Sequence, residues 1–145
     1  MSDLIERILL LKSSPVFNHV KTEDLRIVAQ SLEEETYFSG ERVFEIGEYG
    51  DCMYIIQAGT IGISLDTDIK ETGQFIARLA EGDCFGEMNL LDDLPRSASA
   101  HVIENTTLLV LEKSRLRGLI ISYPELSLGM LKSLSLRLRE ANLSK

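Results

Sequence analysis

The spacing of hydrophobic residues changes twice along the chain and divides it into three regions. In the first region, apolar residues recur every three to four positions in SDLIERILLL and KTEDLRIVAQSL, which predicts two amphipathic helices. Ser2 and Thr22 precede these patterns and are the predicted N-caps. The predicted buried stripe of the second helix consists of Leu25, Val28, Ala29 and Leu32.

From about Thr36 onward the pattern is that of short β-strands. Eight of the ten glycines lie between Gly40 and Gly86, and β-branched and aromatic runs stand between them. The predicted strands are TYF, RVFEI, MYIIQA, TIGISL, QFIARLA, SASAHVI and TLLVLE, with LDTDIKETG as an exposed hairpin loop. Short strands separated by turn residues at intervals of about 8–12 residues are typical of an all-β sandwich or roll.

Helical spacing returns at the C-terminus, where SRLRGLIISY predicts a short helix and Pro124 opens a longer one. In the longer helix Leu126, Met130, Leu134 and Leu138 are spaced by four. The fold class is therefore mainly β with flanking helices (α+β). One domain is expected over 1–145, with N-terminal helices at 1–33, a β-roll at 34–113 and two C-terminal helices at 114–145.

Composition and charge argue against some classes of function and location. The chain has 145 residues and a net charge of −8, which disfavours direct nucleic-acid binding because that needs a basic face. The apolar run Ile8–Leu11 is too short to cross a membrane and no cleavage signal follows it. Cys52 and Cys84 form no C-x-x-C pair and are interpreted as buried thiols of a reducing compartment. We therefore expect a cytoplasmic location and no membrane partner.

The segment CFGEMNLLDDLPRSASAHV, residues 84–102, carries the candidate chemistry. Arg96, set among small residues, can present its guanidinium fork to a phosphate. Gly86 allows close approach of a ligand, and the segment after it is long enough for one or two helical turns. Glu87 would repel a phosphate but can accept hydrogen bonds from a ribose-like hydroxyl. The segment therefore suits a ligand with a hydroxyl at one end and one anionic group at the other.

The stretch FGEMNLLDDLPRSAS, residues 85–99, resembles the phosphate-binding cassette of cyclic nucleotide-binding domains. These occur in protein kinase A regulatory subunits, catabolite activator proteins and cyclic nucleotide-gated channels, and the spacing matches the kinase subunits without a gap. GERVFEIGEYGDCMYIIQAGTIGIS and YPELSLGMLKSLSLRLRE resemble the family's early strands and closing helices. The resemblance implies a jelly-roll-like β-roll of about eight strands that binds cAMP or cGMP.

The resemblance also implies roles for individual residues. Glu87, helped by the Gly86 amide, is expected to bind the ribose 2′-hydroxyl, and Arg96 the cyclic phosphate. The amides of Asn89 and Ser97 are expected to contact phosphate oxygens. Ile63 and Ala77 are expected against the purine. The complete expected ligand site is Ile63, Ala77, Phe85, Gly86, Glu87, Met88, Asn89, Arg96, Ser97 and Ala98.

Asn89 and the C-terminal helix both bear on how a nucleotide would be held. The family usually has a small residue where this chain has Asn89, whose side chain either crowds the phosphate or adds a donor to it. The family's C-terminal helix often closes over the base. This chain offers no aromatic residue there, so the expected lid is aliphatic or guanidinium and draws on Leu134, Arg137, Leu138 and Arg139.

The leading hypothesis is a non-enzymatic cyclic nucleotide sensor, with cAMP favoured over cGMP and no metal, cofactor or catalytic residue. The alternative is an interaction or oligomerisation module that keeps the fold and binds no nucleotide. A separate alternative for Arg96 itself is a partly exposed surface arginine paired with Asp92 or Asp93. A metal enzyme on a similar barrel is disfavoured because His19 and His101 are isolated. The chain ends before a helix-turn-helix could follow. The expected partners are an effector domain or a second copy through the C-terminal helix.

Overall fold

The computed structural model describes residues 3–65 and 75–143. They fall into two compact units, a helical unit formed by Met1–Leu32 with Ser114–Lys145 and a sheet unit formed by Glu33–Lys113. Apart from Leu65, the predicted hairpin loop LDTDIKETG lies outside the described residues. The prediction of a mainly β fold with flanking helices is confirmed.

The sheet unit contains six strands within the described part of the chain, and every pairing is antiparallel. Their sheet order is β1-β6-β3-β4, with β2 added to β6 and β5 added to β3. The strands are β1 (Glu33–Tyr37), β2 (Arg42–Phe44), β3 (Cys52–Ser64), β4 (Ala77–Leu79), β5 (Cys84–Phe85) and β6 (Ser99–Glu112).

Two long strands, β3 and β6, form the centre of the sheet. MYIIQA and TIGISL, predicted as two strands, are one continuous β3, and SASAHVI and TLLVLE are likewise one β6. The register between β3 and β6 shifts three times between Ile56 and Ile61. Such irregularities bend a strand and increase its twist without ending it. Gly59, which separates the two predicted strands in the sequence, therefore lies inside one bent strand.

A hydrophobic core lies against the central strands. It is formed by the buried side chains of Tyr54, Ile56, Ile61, Phe85, Ala100, Val102, Leu108 and Val110. Burying one Leu, Ile or Val side chain contributes about 1.5–3 kcal/mol, so this cluster accounts for a large part of the sheet unit's stability. Phe44 and Ile63, both partly buried, pack against the same core.

Four α-helices occur in the part of the chain that the structure describes, and all of their residues except Lys113, the first residue of α3, belong to the helical unit. They are α1 (Leu4–Lys12), α2 (Thr22–Gln30), α3 (Lys113–Ser122) and α4 (Pro124–Leu143). The predicted stripe of α2 is buried, and Pro124 is the first residue of α4. Both predicted N-caps are wrong. The Asp3 carboxylate caps α1 by accepting from the Glu6 amide at 2.7 Å, and Thr22 already lies inside α2, after Lys21.

The apolar spacing of α4 only partly matches its burial. Leu126 and Met130 are buried, as is Ser133, whereas Leu138 is exposed. A spacing of four residues advances about 40° around a helix of 3.6 residues per turn, so Leu138 has turned about 120° away from Leu126. Ser133 lies seven residues after Leu126 and returns to the buried face.

Hydrogen bonds join separate segments of the helical unit. Arg7 Nη1 donates to the Leu32 carbonyl at 2.8 Å, and the His19 amide donates to Ser133 Oγ at 2.9 Å.

None of the helices seen in residues 3–65 and 75–143 combines the length and hydropathy required to cross a bilayer.

Candidate functional site

The site begins at a tight turn between β5 and a single 3₁₀ turn at Glu87–Leu90. This confirms the short helical element expected after Gly86. Gly86 has φ 75°, in the left-handed region, where residues with a Cβ are strained. A Cβ at this position would also lie 2.7 Å from Arg96 Nη1 and 3.0 Å from the Cys52 carbonyl oxygen. Glycine is therefore required here both by conformation and by space.

Arg96 is fixed at both its backbone and its side chain. Its amide donates to the Glu48 carbonyl at 2.7 Å, and its carbonyl accepts from the Gly47 amide at 2.9 Å. Only 4% of the residue is exposed. The alternative of a partly exposed surface arginine is therefore wrong, because the loop before β3 covers Arg96 from a part of the sequence far from the cassette.

The hydrogen-bond acceptors of the Arg96 guanidinium are neutral oxygens. Nη1 donates to Asn89 Oδ1 at 3.1 Å and, at the longer distance of 3.5 Å, to the Gly86 carbonyl. Nη2 donates to the Cys52 carbonyl at 3.1 Å. The buried Nε has no hydrogen-bond partner. A buried cation bonded to neutral oxygens is suited to receive an anion.

Aromatic rings pack around the guanidinium. Arg96 Cζ lies 4.1 Å from the centre of the Phe44 ring and 5.8 Å from that of Tyr54. Tyr54 stacks on Phe85 with ring centres 5.1 Å apart. Cation–π attraction over Phe44 helps to hold the charge in this position. Burial raises the pKa of Tyr54 to about 12, so its hydroxyl stays neutral beside Arg96 at physiological pH.

Asn89 connects Arg96 with the loop that precedes it. The Asn89 side chain accepts from Arg96 through Oδ1 and donates through Nδ2 to the Leu94 carbonyl at 2.7 Å. The backbone amide of Asn89, which was expected to contact phosphate, donates to the Gly86 carbonyl at 3.2 Å. The residue is only 7% exposed. The alternative pairing of Arg96 with Asp92 or Asp93 is wrong, because the guanidinium donates to neutral oxygens instead. Asp93 accepts from Lys113 at 2.9 Å.

These residues enclose an open cavity of about 220 Å³. It is lined by Phe44, Ile63, Cys84, Phe85, Gly86, Glu87, Met88, Asn89, Arg96, Ser97 and Ala98. Nine of the ten residues expected from the sequence are therefore brought together. Ala77, the tenth, pairs with Ile63 across β3 and β4 but does not line this cavity. Leu134, Arg137 and Leu138 lie on α4 in the helical unit, so their role as a lid stays a prediction.

Comparison with known proteins identifies the family of this chain. A profile of the family described as "Cyclic nucleotide-binding domain" matches residues 34–123, which include the whole cavity. The chain belongs to this family.

Individual relatives agree with this membership. The cyclic AMP receptor protein of Thermus thermophilus is 32% identical over 133 residues, covering 92% of this chain and 61% of the relative. The N-terminal domain of a Streptomyces coelicolor transcriptional regulator has a TM-score of 0.82, with 25% identity and 94% of both chains covered. The regulatory domain of Toxoplasma gondii protein kinase A, solved with cAMP, has a TM-score of 0.71 and 25% identity, covering 82% of this chain and 46% of that one. The chain spans less than two thirds of the length of the curated relatives it matches.

Sequence reasoning missed two residues that line the cavity of this cyclic nucleotide-binding domain, Phe44 and Cys84. Phe44 lies in a short strand, and the only available signal was its position between two turns. Cys84 directly precedes the Phe-Gly-Glu motif, so its place follows from the cassette. Neither cysteine forms a disulfide, and both are only partly buried, which corrects the expectation of buried thiols.

The remaining polar groups give no sign of a metal centre. Across residues 3–65 and 75–143, no cluster of three His, Cys, Asp or Glu side chains could hold a metal ion. His101 Nε2 lies 3.1 Å from Ser64 Oγ between β3 and β6. Burial, followed by the nearby charge of Arg42, lowers the pKa of His101, so this residue serves as a neutral hydrogen-bonding group of the sheet.

Proposed function

We propose that this chain is a regulatory module that binds a cyclic nucleotide, with Arg96 as the main phosphate-binding residue. The observation that carries the proposal is the buried guanidinium beside the cavity, whose hydrogen-bond acceptors are all neutral oxygens. Phosphate offers the guanidinium an opposite full charge and can accept two parallel hydrogen bonds, whereas the present acceptors are neutral. A phosphate would therefore be a better partner for Arg96 than the oxygens it contacts.

Glu87 is assigned to the ribose. It lines the cavity at the start of the 3₁₀ turn, and its carboxylate accepts hydrogen bonds but donates none. It therefore favours a 2′-hydroxyl and disfavours a phosphate. Ile63 supplies an apolar surface for the purine, and Ala77, its cross-strand partner, extends that surface. The amide of Ser97 is assigned to a phosphate oxygen.

We assign cAMP rather than cGMP as the preferred ligand. Support comes from the relatives, because one is named a cyclic AMP receptor protein and another was solved with cAMP. Ser97, which lines the cavity, has a hydroxyl that is compatible with either base. The nucleotide is expected to bind without turnover and without a cofactor, in a module of the cytoplasm that contacts neither nucleic acid nor membrane directly.

The C-terminal helix is proposed as a lid over the base, through Leu134, Arg137 and Leu138. Exposed leucines of α4 allow a controlled test, because Leu138 is 63% exposed and Leu143 85% exposed. Leu138→Ala is expected to weaken cAMP binding several-fold, and Leu143→Ala to leave it unchanged. Equal affinities for the two variants would contradict the lid. Truncation after Gly129 is a poorer test, since it removes buried Met130 and Ser133.

The experiment that tests the proposed function is equilibrium dialysis with labelled cAMP, cGMP and 2′-deoxy-cAMP, followed by chromatography of the recovered nucleotide. We expect cAMP to bind most tightly and to be recovered intact. Glu87→Ala is expected to weaken cAMP about tenfold, the effect of one charged hydrogen bond, and to change 2′-deoxy-cAMP little. Equal losses would remove Glu87 from the ribose site, and cGMP more than tenfold tighter than cAMP would reverse the preference.

A second candidate, a module that keeps the fold without a nucleotide, is favoured by one specific observation. Asn89 already supplies an oxygen to Arg96, so part of the anion-binding capacity is used within the protein. This candidate predicts that neither cAMP nor cGMP binds, and the same dialysis experiment distinguishes it from the first.

A further inference from the structure

The donors of Arg96 are not equivalent with respect to the cavity. The Nη1 group has two N–H donors, and both are directed at cavity-lining residues, to Asn89 Oδ1 at 3.1 Å and to the Gly86 carbonyl at 3.5 Å. The opposite edge of the guanidinium faces Gly50, where an added Cβ would lie 2.4 Å from Nε and 2.5 Å from Nη2. An oxygen entering from the cavity therefore meets Nη1 first and must compete for a proton that is already shared.

Of the two acceptors on Nη1, only the one on Asn89 can move without moving the backbone. The Gly86 carbonyl belongs to the turn that begins the 3₁₀ helix. The side-chain amide of Asn89 is held in one orientation, because its Nδ2 donates to the Leu94 carbonyl at 2.7 Å. That bond turns Oδ1 toward Arg96, and the residue is 7% exposed, so water does not compete for the contact.

We propose that Asn89 is a positioning residue that sets the affinity of the site by occupying the ligand-facing donor of Arg96. This inference rests on the proposed function and deepens it. The Asn89 oxygen is an internal substitute for one ligand oxygen, and binding requires its displacement. A phosphate displaces it because a charged acceptor forms the stronger bond with guanidinium. A neutral ligand lacks that advantage, so Asn89 makes the site selective for an anion.

Two substitutions at position 89 form a matched pair. Asn89→Ala and Asn89→Asp both remove the donor to Leu94, so the loss of that loop contact is common to them. They differ in the oxygen offered to Arg96, which is absent in the first and negatively charged in the second. Titration of each folded protein with cAMP is expected to give about fivefold tighter binding than wild type for Asn89→Ala. For Asn89→Asp we expect at least tenfold weaker binding, because the carboxylate pairs with Arg96 and repels phosphate.

The order of affinities decides the inference. Weaker or unchanged binding of cAMP by Asn89→Ala would overturn it, because Asn89 would then support the ligand or have no role. Binding by Asn89→Asp equal to that of Asn89→Ala would overturn it as well. Absence of binding by all three proteins would defeat the proposed function together with the inference, whereas binding in the wrong order would defeat the inference alone.

A second arm needs no nucleotide. Asn89→Ala is combined with Arg96→Met, which keeps an unbranched side chain over Phe44 but removes every donor, and the four proteins are melted with denaturant. Direct contact predicts that Asn89→Ala lowers the folding equilibrium constant about fivefold more in wild type than in the Arg96→Met background. Additive effects would show that the two side chains are not coupled and would overturn the inference. If Arg96→Met does not fold, the order of cAMP affinities remains decisive.

Discussion

Two cations hold the cassette loop, and they do so in different ways. Arg96 lies at the end of the loop, is 4% exposed and donates to Asn89 Oδ1 and to the carbonyls of Gly86 and Cys52. Lys113 has a side chain that is 19% exposed and donates to the fully exposed carboxylate of Asp93 at 2.9 Å. Its Nζ also donates to the Asp92 carbonyl.

The difference shows which cation has capacity for a ligand. Lys113 is neutralised by Asp93 at the protein surface, where such a pair contributes at most about 1 kcal/mol. Arg96 is buried away from water. Its guanidinium donates to neutral oxygens and not to a carboxylate. Burying a cation in this way is costly unless an anion arrives. This difference supports the proposal that Arg96 binds the ligand and that Lys113 only supports the loop.

The largest effect is expected for Arg96→Ala. Binding of cAMP should weaken by about 2–4 kcal/mol, or roughly 30- to 1000-fold. The free energy of unfolding should also fall by about 2 kcal/mol, since buried acceptors on Asn89, Gly86 and Cys52 lose their donor. Calorimetric titration and denaturant melts measure the two losses. Normal affinity in the folded fraction would show that Arg96 is only structural.

An intermediate effect is expected for Gly50→Ala, which moves Arg96 without removing it. The added Cβ would lie 2.4–2.7 Å from the Nε, Nη2 and Cζ atoms of Arg96, so the guanidinium must shift. We expect cAMP binding to weaken about tenfold, because hydrogen bonds depend strongly on geometry. Gly118→Ala is the control, since a Cβ there meets no atom within 4 Å. Equal affinities for the two variants would show that the position of Arg96 is not critical.

The smallest effect is expected for Lys113→Ala. Removing the exposed pair with Asp93 should lower the free energy of unfolding by less than about 1 kcal/mol, and loss of a positive charge at the start of α3 partly offsets even this. Affinity for cAMP should change less than about threefold, which titration can measure. A loss as large as that of Arg96→Ala would remove the distinction between the two cations.

The parts of this structure that the sequence predicts well are local. Pro124 marks the start of α4 because its ring suits the first helical turn. The Phe-Gly-Glu motif marks a tight turn because its glycine, Gly86, adopts a positive φ that strains residues with a Cβ. Asp3 rather than Ser2 caps α1, an error of one residue that reflects how interchangeable these capping side chains are.

The contacts of Arg96 were beyond prediction from the sequence because they are long-range. Gly50, Cys52 and Phe44 surround the guanidinium but lie 44 to 52 positions before it in the sequence, and no periodicity indicates this approach. The role of Asn89 as an acceptor was equally hidden, since an amide can accept or donate and only the Leu94 carbonyl decides which end faces Arg96. Similarly, β3 continues through Gly59 by way of shifts in its register with β6, and this pairing of distant segments is not visible in the local sequence.

The central claim, that this domain uses a buried arginine to bind a cyclic nucleotide, is tested most directly by one calorimetric titration. Wild-type protein is titrated with cAMP beside Arg96→Lys, which keeps the charge but loses the planar guanidinium fork. We predict measurable heat and a raised melting temperature with wild type, and at least tenfold weaker binding by Arg96→Lys. Absence of both heat and a melting shift in wild-type protein, with saturating cAMP and again with cGMP, would contradict the claim.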